Sequence, residues 1–453
     1  MVEAGTPGAS WRFSDAEDCT KEAQRILRQN DRGGYTVPTP NIYPFQWNWD
    51  SCLVALGWAT FDETRAWQEI ESLFIGQWPD GMVPHIVFHR DDPGYFPGPD
   101  IWGTASLWGD RLAVPTSGIS DPPLAATITL KLWRSARDQQ QAKAAVERLY
   151  PKIAAWHRWF HTARDPAQDG MVAILHPWES GRDNSQDWDA ALSRVPTDDL
   201  PPFQRRDLDR VDAAQRPRKE QYERYLSLIL TFRGKGYEPK AIYEASPFRM
   251  VDIGTVAILL RADRNLRVLA ETLGYREDLV EIDRWIARGE SALDRLWDET
   301  AGVFRSYDLI SGSFTDAITS ASFLPFYGGG VKPERCTRMV EVLERWGTQS
   351  SYPVPSFDPG DQRFDSLRYW RGPTWAIVNH MIAEGLTGCG HEGWAARIAG
   401  ATARAIRQSG FWEYFDPITG RGLGGDDFTW TAAMWLAWAK DFSPPNDSSE
   451  DAA

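Results

Sequence analysis

The stretch Glu392-Gly393-Trp394-Ala395-Ala396-Arg397-Ile398-Ala399-Gly400-Ala401-Thr402-Ala403-Arg404-Ala405-Ile406-Arg407-Gln408-Ser409-Gly410-Phe411-Trp412-Glu413-Tyr414-Phe415 decides the fold class. Its apolar residues return at spacings of three and four, which predicts an amphipathic helix over 392–408. Gly410 then turns the chain, and Phe411 to Phe415 read as a short aromatic strand. The same order follows two other helical stretches, at Gly170-Met171-Val172-Ala173-Ile174-Leu175 and at Gly302-Val303-Phe304-Arg305-Ser306-Tyr307. A degenerate repeat of helix, turn and short strand points to a pseudo-symmetric ring of helix pairs. If the helices alternate up and down, equivalent turns fall on one rim, where the carboxylates at 179, 183 and 413 can converge.

Outward from this stretch the helical spacing recurs over 20–30, 51–59, 62–77, 122–137, 139–163, 221–233, 250–273, 277–298, 333–346, 374–386 and 429–440. With 392–408 that makes about twelve helices and an all-α protein with a few short strands. Two stretches rich in Pro, Asp, Gly and Arg, 80–121 and 184–220, interrupt the rhythm. Long irregular insertions of this kind are usually functional, so they read as lids over one rim. The expected organisation is a disordered N-terminal end over 1–18, one catalytic unit over 19–441 and a disordered acidic tail over 442–453.

Hydrophobic residues at 42% and charged residues at 25% describe an ordinary globular chain of 453 residues, large enough for a substantial core. A net charge of −14 argues against nucleic acid as a partner, because its phosphates would be repelled over much of the surface. Cys19, Cys52, Cys336 and Cys389 are scattered with no CxxC pair, so neither a zinc site nor a disulfide framework is expected. No membrane partner is expected either, since no run of eighteen apolar residues occurs; the start lacks an apolar leader, and a reducing cytoplasm is the simplest location. The 23 tryptophans outnumber both tyrosine and phenylalanine, and indoles stack on the C–H faces of sugar rings as well as filling cores.

Chemistry concentrates in His176-Pro177-Trp178-Glu179-Ser180-Gly181-Arg182-Asp183-Asn184-Ser185, which gathers an indole, two carboxylates and a guanidinium around a glycine turn. Paired with Glu413, one carboxyl here could protonate a glycosidic oxygen while the other activates water. Asp183 is the favoured acid and Trp178 a group that would desolvate it; Glu179 could be the acid instead, with Asp183 the partner of Arg182. Upstream, Tyr43-Pro44-Phe45-Gln46-Trp47-Asn48-Trp49-Asp50 alternates aromatic and polar groups before a helix. Asp50 is either an N-cap or a bidentate acceptor of sugar hydroxyls, with Trp47 or Trp49 as a platform. His85 follows a turn at Asp80-Gly81, and Tyr95 sits in Gly94-Tyr95-Phe96-Pro97-Gly98, a candidate aromatic lid.

Taken in order, Trp47-Asn48-Trp49-Asp50, Gly81-Met82-Val83-Pro84-His85, Gly94-Tyr95-Phe96-Pro97-Gly98, Thr116-Ser117-Gly118-Ile119, Trp178-Glu179-Ser180-Gly181 with Asp183-Asn184-Ser185, Tyr369-Trp370-Arg371-Gly372-Pro373 and Phe411-Trp412-Glu413-Tyr414 resemble glycoside hydrolase family 63. Within it the chain is most similar to the short bacterial glucosylglycerate and mannosylglycerate hydrolases, from about residue 40 to 438. The resemblance implies an (α/α)6 barrel with long lid loops, inversion at the anomeric carbon, Asp183 as acid and Glu413 as base. It implies sugar contacts at Tyr43, Trp47, Asp50, His85 and Tyr95, with Trp370 and Trp375 as further walls; Trp49, Trp178, Glu179 and Tyr369 complete the candidate set. It also places Arg216 and Tyr222 on a carboxylate, a contact whose bidentate geometry suits a guanidinium; the alternative is that Arg216 is one more charge on a solvated loop.

Two positions depart from the family pattern. Asp121 stands where relatives commonly carry Gln, and a carboxylate there accepts hydrogen bonds but cannot donate. Asp426-Asp427 replaces a Gln-containing segment before the last Trp-Thr-Ala, where negative charge would oppose an anionic ligand.

The expected function is therefore an inverting α-glycosidase acting on a small α-glucoside or α-mannoside, with glucosylglycerate the leading substrate and no metal or cofactor. An enzyme for neutral α-linked di- or oligosaccharides is the nearest alternative. An inactive sugar-binding protein, or a phosphorylase or lyase, would keep the fold but not need both carboxylates. The sequence leaves homo-oligomerisation open.

Overall fold

In the computed structural model, which describes residues 11–40, 42–198 and 200–443, thirteen helices carry the architecture. They are α1 (Ala16–Asn30), α2 (Asn48–Ala59), α3 (Glu63–Leu73), α4 (Ala125–Ser135), α5 (Gln139–Trp159), α6 (Lys219–Gly234), α7 (Ile253–Leu273), α8 (Arg276–Arg295), α9 (Leu324–Gly328), α10 (Pro333–Gly347), α11 (Ala376–Gly388), α12 (Glu392–Ser409) and α13 (Thr429–Ala437). Two classes separate by burial. In α11 the run from Ala376 to Ala383 is buried on every side, and in α13 so is Thr429 to Leu436, whereas α8 and α10 bury one stripe each. A helix apolar all round belongs inside and an amphipathic one outside, so the sequence itself sorts the helices into two layers.

The inner layer closes on itself: α2 packs on α4, α4 on α7, α7 on α9, α9 on α11, α11 on α13 and α13 back on α2. Outside them α1 covers α13, α3 covers α2, α5 covers α4, α8 covers α7 and α12 covers α11. This is an (α/α)6 barrel. Close approach between inner helices depends on glycine: a Cβ on Gly57 of α2 would lie 2.6 Å from the Cα of Ala433, and one on Gly385 of α11 would lie 2.3 Å from the Phe326 backbone. These contacts offset the roughly 1 kcal/mol that glycine costs inside a helix.

Each stretch with helical spacing contains a helix, but the ring also uses one helix that lies outside those stretches. The helix expected at 221–233 is α6, which lies outside the ring, and the sixth inner helix is α9, five residues long. Helix α1 begins at Ala16, capped by Asp15, so it extends into the end expected to be disordered; 1–10 and 444–453 lie outside the described residues. The repeated hinges are real but shallow. Val303–Phe304 and Tyr414–Phe415 are two-residue strands paired with Trp297–Asp298 and Gly422–Leu423, while the hinge at 170–175 makes one bridge, Ile174 to Met250. Among the scattered cysteines, Cys336 of α10 and Cys389 after α11 come within 3.5 Å as free thiols.

Candidate active site

The segments that lead into the inner helices α2, α4, α11 and α13 meet at one end of the barrel and line a cavity there. Trp49 and Asp50 come from the first turn of α2, Trp430 from the first turn of α13, and Asp121 from just before α4. The second expected stretch, around residue 180, is fixed from below by Arg182, which is buried and bonds Asp252 at the N-cap of α7 (2.5 Å) and Asp187 (3.3 Å). Gly181 makes the turn at φ +67°, and a Cβ there would lie 2.6 Å from the Trp49 ring. That tight turn carries Asp183 into the cavity, with its carbonyl held by the Tyr225 hydroxyl (2.7 Å).

Burial pushes the Asp183 carboxyl up to about 7; the Glu413 charge adds to this, while the Arg216 charge and the Tyr369 hydroxyl oppose it. Such a group is protonated in part near neutrality and fully at lower pH. Glu413, across the chain, is 1% exposed and densely held. Its Oε2 accepts from the Gly425 N–H (3.0 Å), its Oε1 from the Tyr43 hydroxyl (3.0 Å), and its backbone is pinned to Gly425 and to the Trp430 indole. Asp50 lies on the cavity wall, where burial and then the Glu413 and Asp183 charges hold it well above the usual carboxylate range. Burial, with Asp50 beside it, does the same to Asp121, which accepts from the Trp49 N–H (3.3 Å). Burial keeps His85 neutral; its Nδ1 pairs with Ser117 Oγ (2.6 Å) and its ring stacks on Trp178. The pair expected from the sequence, Asp183 and Glu413, thus stands in a wall of Tyr43, Trp47, Trp49, Tyr95, Trp178 and Tyr369.

The insertions supply the remaining wall. Residues 80–121 contribute His85, Tyr95 and Phe96, and residues 184–220 contribute Arg206, Asp207, Arg216 and Pro217, followed by Tyr222 of α6. The two insertions are tied together by an Arg206–Asp92 ion pair (2.9 Å) and by Phe96 stacked on Phe203. Arg216 is 3% exposed and is not a solvated loop charge. Its Nε donates to Asp207 (3.0 Å), its Nη1 to Glu413 (3.1 and 3.3 Å) and its Nη2 to the Tyr43 hydroxyl, while its plane lies over the Tyr369 ring (4.5 Å). Tyr369 itself adopts φ +37°, a conformation costing about 1–3 kcal/mol in a non-glycine residue, so the barrel stores strain where it presents this ring.

Three expected site residues stand behind the wall. Glu179 is 3% exposed and its carboxylate is occupied by Arg164 (2.6 Å) and the Leu175 N–H (2.7 Å), which removes it both as acid and as a sugar contact. Trp370 and Trp375 stack face to face at 3.7 Å, each covering the other's face; Trp375 also backs Tyr414 and Trp430. Asp427 turns away from the cavity to pair with Arg25 of α1 (3.0 Å). Conversely, sequence reasoning passed over Asp207, Phe428 and Trp430. Asp207 was one charge among many in an irregular loop, but Trp430 begins an apolar helix and could have been found from its place at the rim.

A family described as "Mannosylglycerate hydrolase MGH1-like glycoside hydrolase domain" matches residues 43–431. A mannosylglycerate hydrolase of Thermus thermophilus is 48% identical over 420 residues, covering 92% of this chain and 100% of the relative. A glucosylglycerate hydrolase of Mycolicibacterium hassiacum is 33% identical over 447 residues, covering 92% of this chain and 96% of that one. The crystal structure of a family 63 mannosylglycerate hydrolase from Thermus thermophilus in complex with Tris and D-glycerate superposes with a TM-score of 0.89 at 47% identity, over 93% of this chain and 99% of the other. With these matches spanning the barrel and the cavity alike, the chain belongs to the MGH1-like glycoside hydrolases of family 63.

Proposed function

We propose that this enzyme hydrolyses α-glycosides of glycerate with inversion, releasing the sugar and glycerate. The observation that carries the reading is a buried guanidinium, Arg216, in the same cavity as the carboxyl groups of Asp183 and Glu413. Asp183 gives its proton to the departing glycosidic oxygen while Glu413 takes one from a water attacking the opposite face of the ring. Asp50 and His85 bind sugar hydroxyls, the indoles of Trp47 and Trp49 pack on the ring, and Arg216 with Tyr222 faces the carboxylate. The relatives shift the leading substrate from glucosylglycerate to mannosylglycerate: the mannosylglycerate hydrolase is 48% identical and the glucosylglycerate hydrolase 33%.

Initial rates on mannosylglycerate, glucosylglycerate, kojibiose and nigerose test the substrate class. The glycerate glycosides should exceed the disaccharides in kcat/KM by at least about 10-fold, the lower end of the ~1.5–3 kcal/mol of a hydrogen bond to a charged group. Equal or faster disaccharide turnover would replace this reading with the neutral-sugar one, which the full set of protein partners around Arg216 favours.

The pH dependence has a defined sign. Burial raises the acid to about 7, so the proton it must donate is present below that pH and lost above it. Accordingly kcat/KM should fall above pH 7 by about tenfold per unit, a slope set by titration of one group. A profile flat from pH 6 to 9 would remove Asp183 from the acid role.

A further inference from the structure

A carboxylate grips a guanidinium best through two parallel N–H bonds, either along the Nε/Nη2 side or across the Nη1/Nη2 end. Arg216 has neither edge free. On the side, Nε is held by Asp207 and Nη2 by the Tyr43 hydroxyl; on the end, Nη1 is spread over both oxygens of Glu413. The two carboxylate partners differ in how firmly they are fixed. Asp207 is gripped a second time, by Arg205 through Nε (3.1 Å) and Nη2 (2.6 Å), and Arg205 is itself tied to the Pro217 carbonyl and stacked on Tyr222. The Nε contact is therefore part of the insertion's own framework. The Nη1 contact reaches across to the barrel, and there it covers the oxygens that must receive a proton from water.

Glu413 cannot serve as a base in that arrangement without losing a partner, since Oε1 accepts from Tyr43 and Arg216 and Oε2 from Gly425 and Arg216. Resting on the glycerate reading above, we propose that the substrate's carboxylate releases the base: it takes the Nη end of Arg216 away from Glu413, and Arg216, still anchored through Nε on Asp207, pivots towards the leaving group. The exchange also shifts charge compensation from one carboxylate to the other. Arg216 stays paired because one carboxylate replaces another on it, while Glu413 gives up its cation and keeps the Tyr43 hydroxyl and the Gly425 N–H, which leaves a buried carboxylate readier to take a proton from water. The acidic aglycone is thus a trigger for turnover as well as a handle for affinity, and a neutral glycoside that binds well finds its base still covered. Asp207 acts as a positioning residue in this exchange, and Arg216 as the specificity-determining one.

The test separates binding from turnover. Mannosylglycerate and glucosylglycerate are compared with mannosylglycerol and glucosylglycerol, which carry CH2OH where the glycerates carry the carboxylate. The wild-type enzyme should lose kcat on the glycerols, on the order of 10²-fold, the scale of removing general-base assistance, in addition to any rise in KM. Arg216→Gln, checked for a wild-type thermal melt, should raise kcat on the glycerols above the wild-type value while raising KM on the glycerates. Equal wild-type kcat on glycerates and glycerols, with only KM changed, overturns the proposal without any variant being needed, and a fall in kcat on the glycerols in Arg216→Gln does the same. Turnover of glycerols but of neither glycerate overturns the substrate reading itself, a result distinct from turnover of both at one kcat.

Discussion

Asp183→Asn should lower kcat by about 10²–10⁴-fold, the contribution typical of a positioned general acid, with the thermal melt unchanged. The amide keeps the size and the tight turn at Gly181 but has no proton to give at a developing alkoxide. It also removes a carboxyl that burial already holds neutral to about pH 7, so no ion pair is broken and stability should not fall. A leaving group that needs no protonation offers a second readout: on an aryl glycoside with an acidic phenol, the variant should fall behind the wild type by far less than it does on the natural glycoside. A variant that keeps more than a tenth of the wild-type rate on the natural glycoside would take Asp183 out of the mechanism.

Glu179→Gln, four residues earlier, should do the opposite. Arg164 is 1% exposed, and its guanidinium has Glu179 as its carboxylate partner through three contacts of 2.6 to 3.2 Å. Breaking a buried pair from one side strands the remaining charge, a loss of about 3–5 kcal/mol. Urea or thermal unfolding should show that loss directly, while the folded fraction turns over at close to the wild-type kcat. Wild-type stability combined with lost activity would reinstate Glu179 as the acid.

These two carboxylates show where a sequence stops being informative. Both lie in one motif beside one indole, and local pattern cannot tell which has a private cation. That partner, Arg164, sits 15 residues upstream at the end of the helical run after α5, and only packing brings it under the turn. The barrel is more legible, because burial on all sides or on one stripe is written into α11, α13, α8 and α10 as spacing. Helix α9 escapes that reading: Leu324–Gly328 is too short to show a period and has Pro325 in its first turn. Its place in the ring is set by contacts with α7 and α11. Aromatic motifs mislead in a particular way as well. Trp370 and Trp375 look like sugar platforms until their rings are found pressed on each other, 1° from parallel. Arg216 is the reverse case, a residue indistinguishable from Arg205, Arg206, Arg210 and Arg218 in sequence and yet the guanidinium that joins the insertion to Glu413.

A proton NMR time course on mannosylglycerate and glucosylglycerate, sampled faster than the freed sugar mutarotates, tests the central claim most directly. An Asp183 acid and a Glu413 base working through one water predict that the β-anomer of the sugar appears first, together with glycerate in equal amount. First appearance of the α-anomer would show a covalent, retaining route and contradict this assignment of the two carboxylates.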